Sequence, residues 1–240
     1  AEYTGPHGRE PKEMPLKKYP EIVFDASKLE GNDTTNTYTQ AGYTVTASSQ
    51  YSLSASSSSF IYPPWKAFNG RNDIQGLGDY AWLSKGGASD GYTPATGLPT
   101  GANGDVFQSV NGAWLSIELP HNIKLSYMTL ANRNDGNVRG PKDIVVWGSL
   151  DGTSWVSLKT YTNTNNVSAA KYKVDINSTT EYKYFRLHFL SIHTGKDAVA
   201  IGEWELYGYE EPAPPGDLSL DTTLKSTFNS VRSNNYVMYF

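Results

Sequence analysis

From Tyr43 to Tyr209, apolar and polar residues alternate with a period of two through most of the chain. That period marks half-buried β-strands, whose successive side chains point to opposite faces. In AWLSIELP (113–120), Leu115, Ile117 and Leu119 fall opposite Trp114, Ser116 and Glu118. In PKDIVVWGSLDGTSW (141–155), Ile144, Val146 and Gly148 point one way, and Val145 and Trp147 the other. Asp151-Gly152 then supplies a tight reversal, since glycine tolerates the positive φ of a hairpin turn, and Trp155 opens the returning strand. YKYFRLHFLSI (182–192) sets Phe185, Leu187 and Phe189 against Arg186 and His188, and AIGEWELYGY (200–209) sets Trp204 and Leu206 against Glu203, Glu205 and Tyr207. With YTVTASS and LSYMTLANR added, these short strands between Gly/Asn/Asp turns predict an all-β antiparallel sandwich over residues 41–209.

Outside that pattern the chain changes character. Residues 1–40 are rich in proline and charge, with one apolar island, EIVFDASKL, and read as an extended arm holding one strand. The interval 83–113 carries 7 Gly and 2 Pro without a regular period; a loop of that length inside a compact domain is uncommon and often functional. EEPAPPGD (210–217) reads as a stiff linker. Beyond it, Leu220, Leu224, Phe228 and Val231 predict a short amphipathic helix within 218–240, the start of a further module or a docking tail.

Composition narrows the picture. The formal charge is −4 over 240 residues, so no basic surplus draws the chain to nucleic acid or anionic lipid. No apolar run approaches the roughly 20 residues that span a bilayer. There is no cysteine, hence no disulfide framework and no thiolate metal site, and assembly in a reducing compartment is open to it. Lacking an initiator Met and an apolar leader, the chain is expected to be a processed product or part of a longer one. Sequons at Asn32, Asn166 and Asn177 lie in polar sequence where a glycan can sit.

In order, YTVTASSQYS, PPWKAFNGRND, AWLS, GAWLSIELP, RGPKDIVVWGSLDGTSW, YKYFRLHFLSI and AIGEWELYG resemble the discoidin family, the C-type domains of coagulation factors, which includes galactose-binding carbohydrate modules. The resemblance spans roughly residues 40–209. YPPWKAF and AIGE are also similar to discoidin-like domains in surface proteins of large DNA viruses of algae and amoebae. Animal members tie the domain ends with a disulfide, which this chain cannot form, and that favours a microbial or viral origin. The resemblance implies a jelly-roll sandwich of about eight antiparallel strands that binds glycans, or in some members phospholipid or protein, through loops at one end.

The resemblance also assigns residues. Trp82, Trp114, Trp155 and Trp204 coincide with family core positions. Tyr62, near Phe60 and Trp65, falls where members place an aromatic that stacks on a sugar. The loop ANRNDGNVRGPK (131–142) corresponds to one that supplies an Arg and an Asn to sugar hydroxyls, which makes Arg133, Asn137 and Arg139 candidates; a guanidinium presents paired donors suited to vicinal oxygens. The bland alternative is a solvated turn with an Arg–Asp pair. His193 can close the same site. AFNGRND resembles the family's calcium turn, with Asn69 and Glu203 as ligands by position, although Asn in place of Asp removes a charge that calcium favours.

Catalysis finds little support. There is no Ser-His-Asp motif context, no phosphate loop and no His pair at metal spacing. Glu203 and Glu205 share a strand face about 7 Å apart, within reach of an inverting glycosidase pair, but nothing else completes an active site. The expectation is a non-catalytic glycan-binding adhesion module, extracellular or on a virion surface, with galactose-type glycans as partners. The alternative is a structural capsid or surface-assembly protein tied to neighbouring subunits through 1–40 and 218–240.

Overall fold

Leu115, Ile117 and Leu119 are fully buried, as their alternation predicts, in a computed structural model that describes residues 14–32, 34–52, 61–72, 81–86, 91–101, 105–136 and 138–211. They belong to the longest strand, which sets the architecture. The sandwich strands are β1 (Lys17–Tyr19), β2 (Glu30–Asn32), β3 (Thr37–Gln40), β4 (Tyr43–Ala47), β5 (Trp114–Ala131), β6 (Asp143–Ser149), β7 (Val156–Thr162), β8 (Lys171–Asp175), β9 (Tyr182–Phe189) and β10 (Glu203–Tyr209). One layer runs in the order β7-β6-β9-β5-β4-β3-β2, the other β8-β5-β10-β1. Every pairing is antiparallel.

Strand β5 belongs to both layers. Its first half pairs with β4 and β9 through Glu118, and its second half pairs with β10 and β8 from Lys124 to Ala131. The register breaks between Glu118 and Ile123 and again between Leu125 and Tyr127. Such irregularities bend a strand and raise its twist, which carries β5 from one sheet to the other. The core between the layers includes Phe185, Leu187 and Phe189 from β9, and Trp204 and Leu206 from β10, all fully buried on the faces their alternation assigns. The all-β jelly-roll expectation holds. Helical structure among the described residues is confined to two 3-10 turns, Ala26–Lys28 and Pro64–Phe68. No described helix is long and apolar enough to cross a membrane.

Three sequence expectations require correction or placement. Residues 17–40 are not an arm. Strand β1 pairs with β10 from Lys17↔Gly208 to Tyr19↔Leu206, while β2 and β3 extend the other layer beyond β4. Tyr19, Phe24 and Tyr38 are core residues, 0, 2 and 5 % exposed. The stretch looks irregular because its strands are three or four residues long, too short to show a period. Residues 1–13, and the predicted linker and helix from 212 onward, lie outside the described residues.

The interval 83–113 also contributes to the core. Tyr92, 1 % exposed, donates its hydroxyl to Phe189 O (2.8 Å) and accepts Ala113 N–H (3.0 Å).

Of the four tryptophans assigned to the core, Trp82 and Trp204 are fully buried. Trp114 and Trp155 are half-buried on the outer face of the larger layer. The same alternation that sends Leu115 inward sends Trp114 outward with Ser116 and Glu118. Its ring covers the Arg186 guanidinium at 3.9 Å, and Trp155 covers it at 4.3 Å. Deleting a fully buried large aromatic costs about 3–5 kcal/mol, so Trp204→Ala is expected to lose that much in urea or thermal unfolding. Trp114→Ala should lose less than about 2 kcal/mol, the range of partly exposed positions. Equal losses in the two variants would place Trp114 in the core after all.

Candidate functional site

The loops after β5, β7 and β9 meet at one end of the sandwich, and asparagines hold them there. Asn132, fully buried, donates Nδ2 to Asn165 O (2.9 Å) and Val167 O (3.0 Å). Asn163 does the same for Pro141 O and Asn165 O, both at 3.0 Å, and accepts Asn165 N–H at 2.9 Å. A short amide carries both donor and acceptor, so it can satisfy loop backbone that no strand pairs.

On this scaffold sit two guanidinium–carboxylate pairs. Arg133 meets Asp135 at 2.7 Å, with side chains 8 and 22 % exposed. Arg139, in the left-handed region at φ 52°, pairs with Asp197. Arg139 O accepts Ala200 N–H at 2.9 Å, and Ala200 packs in a small cluster with Tyr62, Leu83 and Ala198. His193 approaches from the other side, its backbone N–H bonded to Gly140 O at 3.1 Å; burial is the largest influence on its imidazole and lowers its pKa. Around Arg139 and Gly140, three buried polar atoms have no hydrogen-bond partner among the described residues: Arg139 Nε, His193 Nε2 and Asn132 Oδ1.

The predicted site residues therefore converge, with changes of role. Tyr62 is only 7 % exposed, and the Arg133 guanidinium lies 5.1 Å from its ring centroid. It supports Arg133 rather than offering a stacking face. Asn137 lies outside the described residues. The Arg–Asp pair expected within 131–142 is Arg133–Asp135; Asp197, which fixes Arg139, was not singled out in the sequence. A cleft of about 420 Å³ beside this end, between the 23–26 turn and Trp65, Asn69 and Arg71, was not legible either. Of the sequons, Asn166 and Asn177 are exposed between strands and Asn32 ends β2. Asn166 Oδ1 accepts Gly140 N–H at 3.2 Å.

A second polar centre lies where 69–72 meets the start of β10. Glu203 Oε1 accepts Gly70 N–H at 3.3 Å, while Glu203 Oε2 and Asn72 Oδ1 are buried without a partner among the described residues. Gly202 makes room for this arrangement, since a Cβ there would lie 2.1 Å from Asn72 Oδ1. Asn69, the expected ligand, turns its Oδ1 to Arg71 N–H at 3.0 Å. The oxygens left without a partner among the described residues are those of Glu203 and Asn72; oxygen is the donor that calcium takes. Burial, with Glu205 adding to it, pushes Glu203 up to about 8. Glu205 goes the other way: it is held ionised by Lys171 at 2.5 Å and Thr129 at 2.8 Å, with Lys18 nearby. These bonds occupy the Glu205 carboxylate, which lies two residues from Glu203 on the same strand face.

The family model of the F5/8 type C domain matches residues 44–204. The chain belongs to this family. Among solved structures, CBM32-3 from a family 31 glycoside hydrolase of Clostridium perfringens is 16 % identical, covering 78 % of this chain and 96 % of its own, with a TM-score of 0.50. An F5/8 type C domain from Bacteroides fragilis is 17 % identical over 72 % of this chain and 96 % of its own, at 0.49. The family 32 CBM of Clostridium perfringens NanJ, solved in complex with galactose, is 16 % identical over 70 and 94 %, at 0.48. No curated protein matches the chain.

Glu203 dictates a pH dependence. The native state holds its proton more tightly than the unfolded chain, from an ordinary 4.5 up to about 8. Its contribution is complete below pH 4.5 and is lost as pH rises toward 8, where the native state must ionise a buried acid. In a chelating buffer, urea-unfolding stability should decline across that window. Glu203→Gln should remove the decline, and Glu205→Gln should leave it in place. A decline that persists in Glu203→Gln would assign it to another group.

Proposed function

We propose that this F5/8 type C domain is a non-catalytic glycan-binding module whose site is the asparagine-scaffolded loop end. The observation that supports it most directly is the meeting of Arg139–Asp197 with three buried polar atoms around Gly140 that lack partners among the described residues. Buried polar groups are nearly always satisfied, and leaving one unmade costs about 1–3 kcal/mol. A polyhydroxylated ligand supplies donors and acceptors together, which suits the Arg139 guanidinium and the Asp197 carboxylate beside it, 21 and 31 % exposed. Arg133–Asp135 and Arg139–Asp197 each hold a guanidinium in place, so little side-chain freedom is lost on binding. Galactose-type sugars are the first class to test.

The Glu203–Asn72 centre is proposed as a structural calcium site that pins the 69–72 turn to β10. It would neutralise a carboxylate that otherwise stays protonated near neutrality.

A glycan array with the full chain, followed by titration of the best ligand, tests the first reading. Loss of a hydrogen bond to a charged group costs about 1.5–3 kcal/mol, so Arg139→Ala and His193→Ala should weaken binding about tenfold or more with unchanged melting. Unaltered affinity in both would remove the loop end as the site. For calcium, melting temperature at pH 8 should rise with added calcium through binding to the native state alone. Glu203→Gln or Asn72→Ala should abolish the rise and Asn69→Ala should not. No calcium response in the parent chain would reject the site.

A further inference from the structure

The outer face of the larger layer carries a guanidinium, that of Arg186, which no carboxylate among the described residues pairs. Two rows of side chains cross it in register. Thr46, Ser116, Arg186 and Trp147 form one row over β4, β5, β9 and β6; Thr44, Glu118 and Tyr184 form the next. The turn from Ser149 to Ser154 then folds Trp155 over them. Asp151 Oδ1 accepts Thr153 N–H (2.8 Å) and Ser154 N–H (2.7 Å), and Trp155 Nε1 donates to Gly152 O at 3.1 Å, which fixes the indole. The result is a cleft of about 170 Å³ that Arg186 and Trp155 line together with Thr44, Thr46, Glu118 and Tyr184.

Arg186 is enclosed by aromatic rings. Its guanidinium carbon lies 3.9 Å from the Trp114 ring centroid, 4.3 Å from that of Trp155 and 4.4 Å from that of Phe107. Rings satisfy the faces of a guanidinium but not its edge N–H groups. For those, the structure offers one contact, Nε to Ser116 Oγ at 3.4 Å. No carboxylate among the described residues pairs with Arg186. Glu118 shares the cleft, but its Oε1 is taken by Lys183 Nζ at 2.7 Å and Tyr184 OH at 3.0 Å. Lys183 neutralises Glu118, and the surplus charge is that of Arg186. His188, on the same strand face, is buried and pushed down to about 4 by burial and by Arg186, so it brings no competing charge at neutral pH. A largely desolvated cation without a counter-ion is costly, and a carboxylate with bidentate geometry would relieve it.

We propose that this cleft is a second binding site, separate from the loop end, for a saccharide unit that carries a carboxylate, such as a hexuronate. The carboxylate pairs with the Arg186 edge. The C–H face of the pyranose lies along the Trp155 wall, and its hydroxyls meet Thr44, Thr46 and Tyr184, all half-buried. The cleft's small volume admits one ring at a time, a chain end or a single unit of a longer polymer.

The test uses the full chain with sodium glucuronate and methyl glucoside as probes, read by the Trp155 indole N–H resonance, assigned with Trp155→Phe. Glucuronate should shift that resonance in a saturable manner, more weakly at high sodium chloride, and methyl glucoside should need at least tenfold more. Arg186→Gln should abolish the shift. Thr46→Phe, which fills the cleft without removing the cation, should abolish it too and guards against a folding defect in the first variant. Arg139→Ala should leave it unchanged, so failure of the loop-end reading and of this one are separate results. Equal binding of the two sugars overturns the proposal, as does a glucuronate response unaffected by either cleft variant. Equal binding of acetate, or tighter binding of polyglutamate, would overturn the saccharide assignment.

Discussion

The fold depends on one strand serving two sheets. Eighteen residues, Trp114–Ala131, hydrogen-bond to four other strands, and the register breaks at 118–123 and 125–127 let them do so. A strand confined to one layer could not commit both of its halves to the core. Here Leu115, Ile117 and Leu119 enter it from one sheet, and Met128 and Leu130 from the other. Both proposed binding regions follow from this geometry. The first half of β5 puts Trp114, Ser116 and Glu118 on the outer face. Its last residue hands the chain to Asn132, which anchors the loop end.

Much of this was legible because strand alternation is a local property. The inward sets on β5, β9 and β10 follow from period two alone, and the Asp151-Gly152 reversal follows from turn chemistry. The proximity of Glu203 to the 69–71 turn came with the family resemblance. What the sequence concealed is non-local. Strands of three residues carry no period, so 17–40 read as an arm although Tyr19 and Phe24 seal the core. An aromatic residue packs well on either face of a sheet, so Trp114 and Trp155 read as core; the hydrophobic content of Trp does not say which face it occupies. Tyr62 lost its stacking role for a related reason: its ring is the platform on which Arg133 rests. Likewise, Asn69 and Asn72 are chemically alike in sequence, and only the backbone decides that one caps the turn at Arg71 while the other keeps a buried oxygen without a partner among the described residues.

The chain treats its arginines in two ways, and the contrast separates the two regions. At the loop end, Arg133 and Arg139 each have an aspartate beside them. Such pairs hold a donor array in fixed orientation at nearly zero net charge, which suits neutral hydroxyls and gives a salt-tolerant contact. On the outer face, Arg186 has rings instead of a carboxylate. Rings orient a guanidinium and shield it from water, but they do not cancel its charge, so burial lowers its pKa to about 10 rather than a partner raising it. A structural role alone would be met more cheaply by Met or Leu, which fill the same space among Phe107, Trp114 and Trp155 without a desolvated charge. The position of Trp155 strengthens the point. Its turn is held by Ser149 and Asp151 and by the indole's own bond to Gly152 O, so the ring is fixed before anything binds. An aromatic wall fixed by its own backbone, set against a cation that lacks a counter-charge, is organised for a carboxylate that arrives from outside the chain.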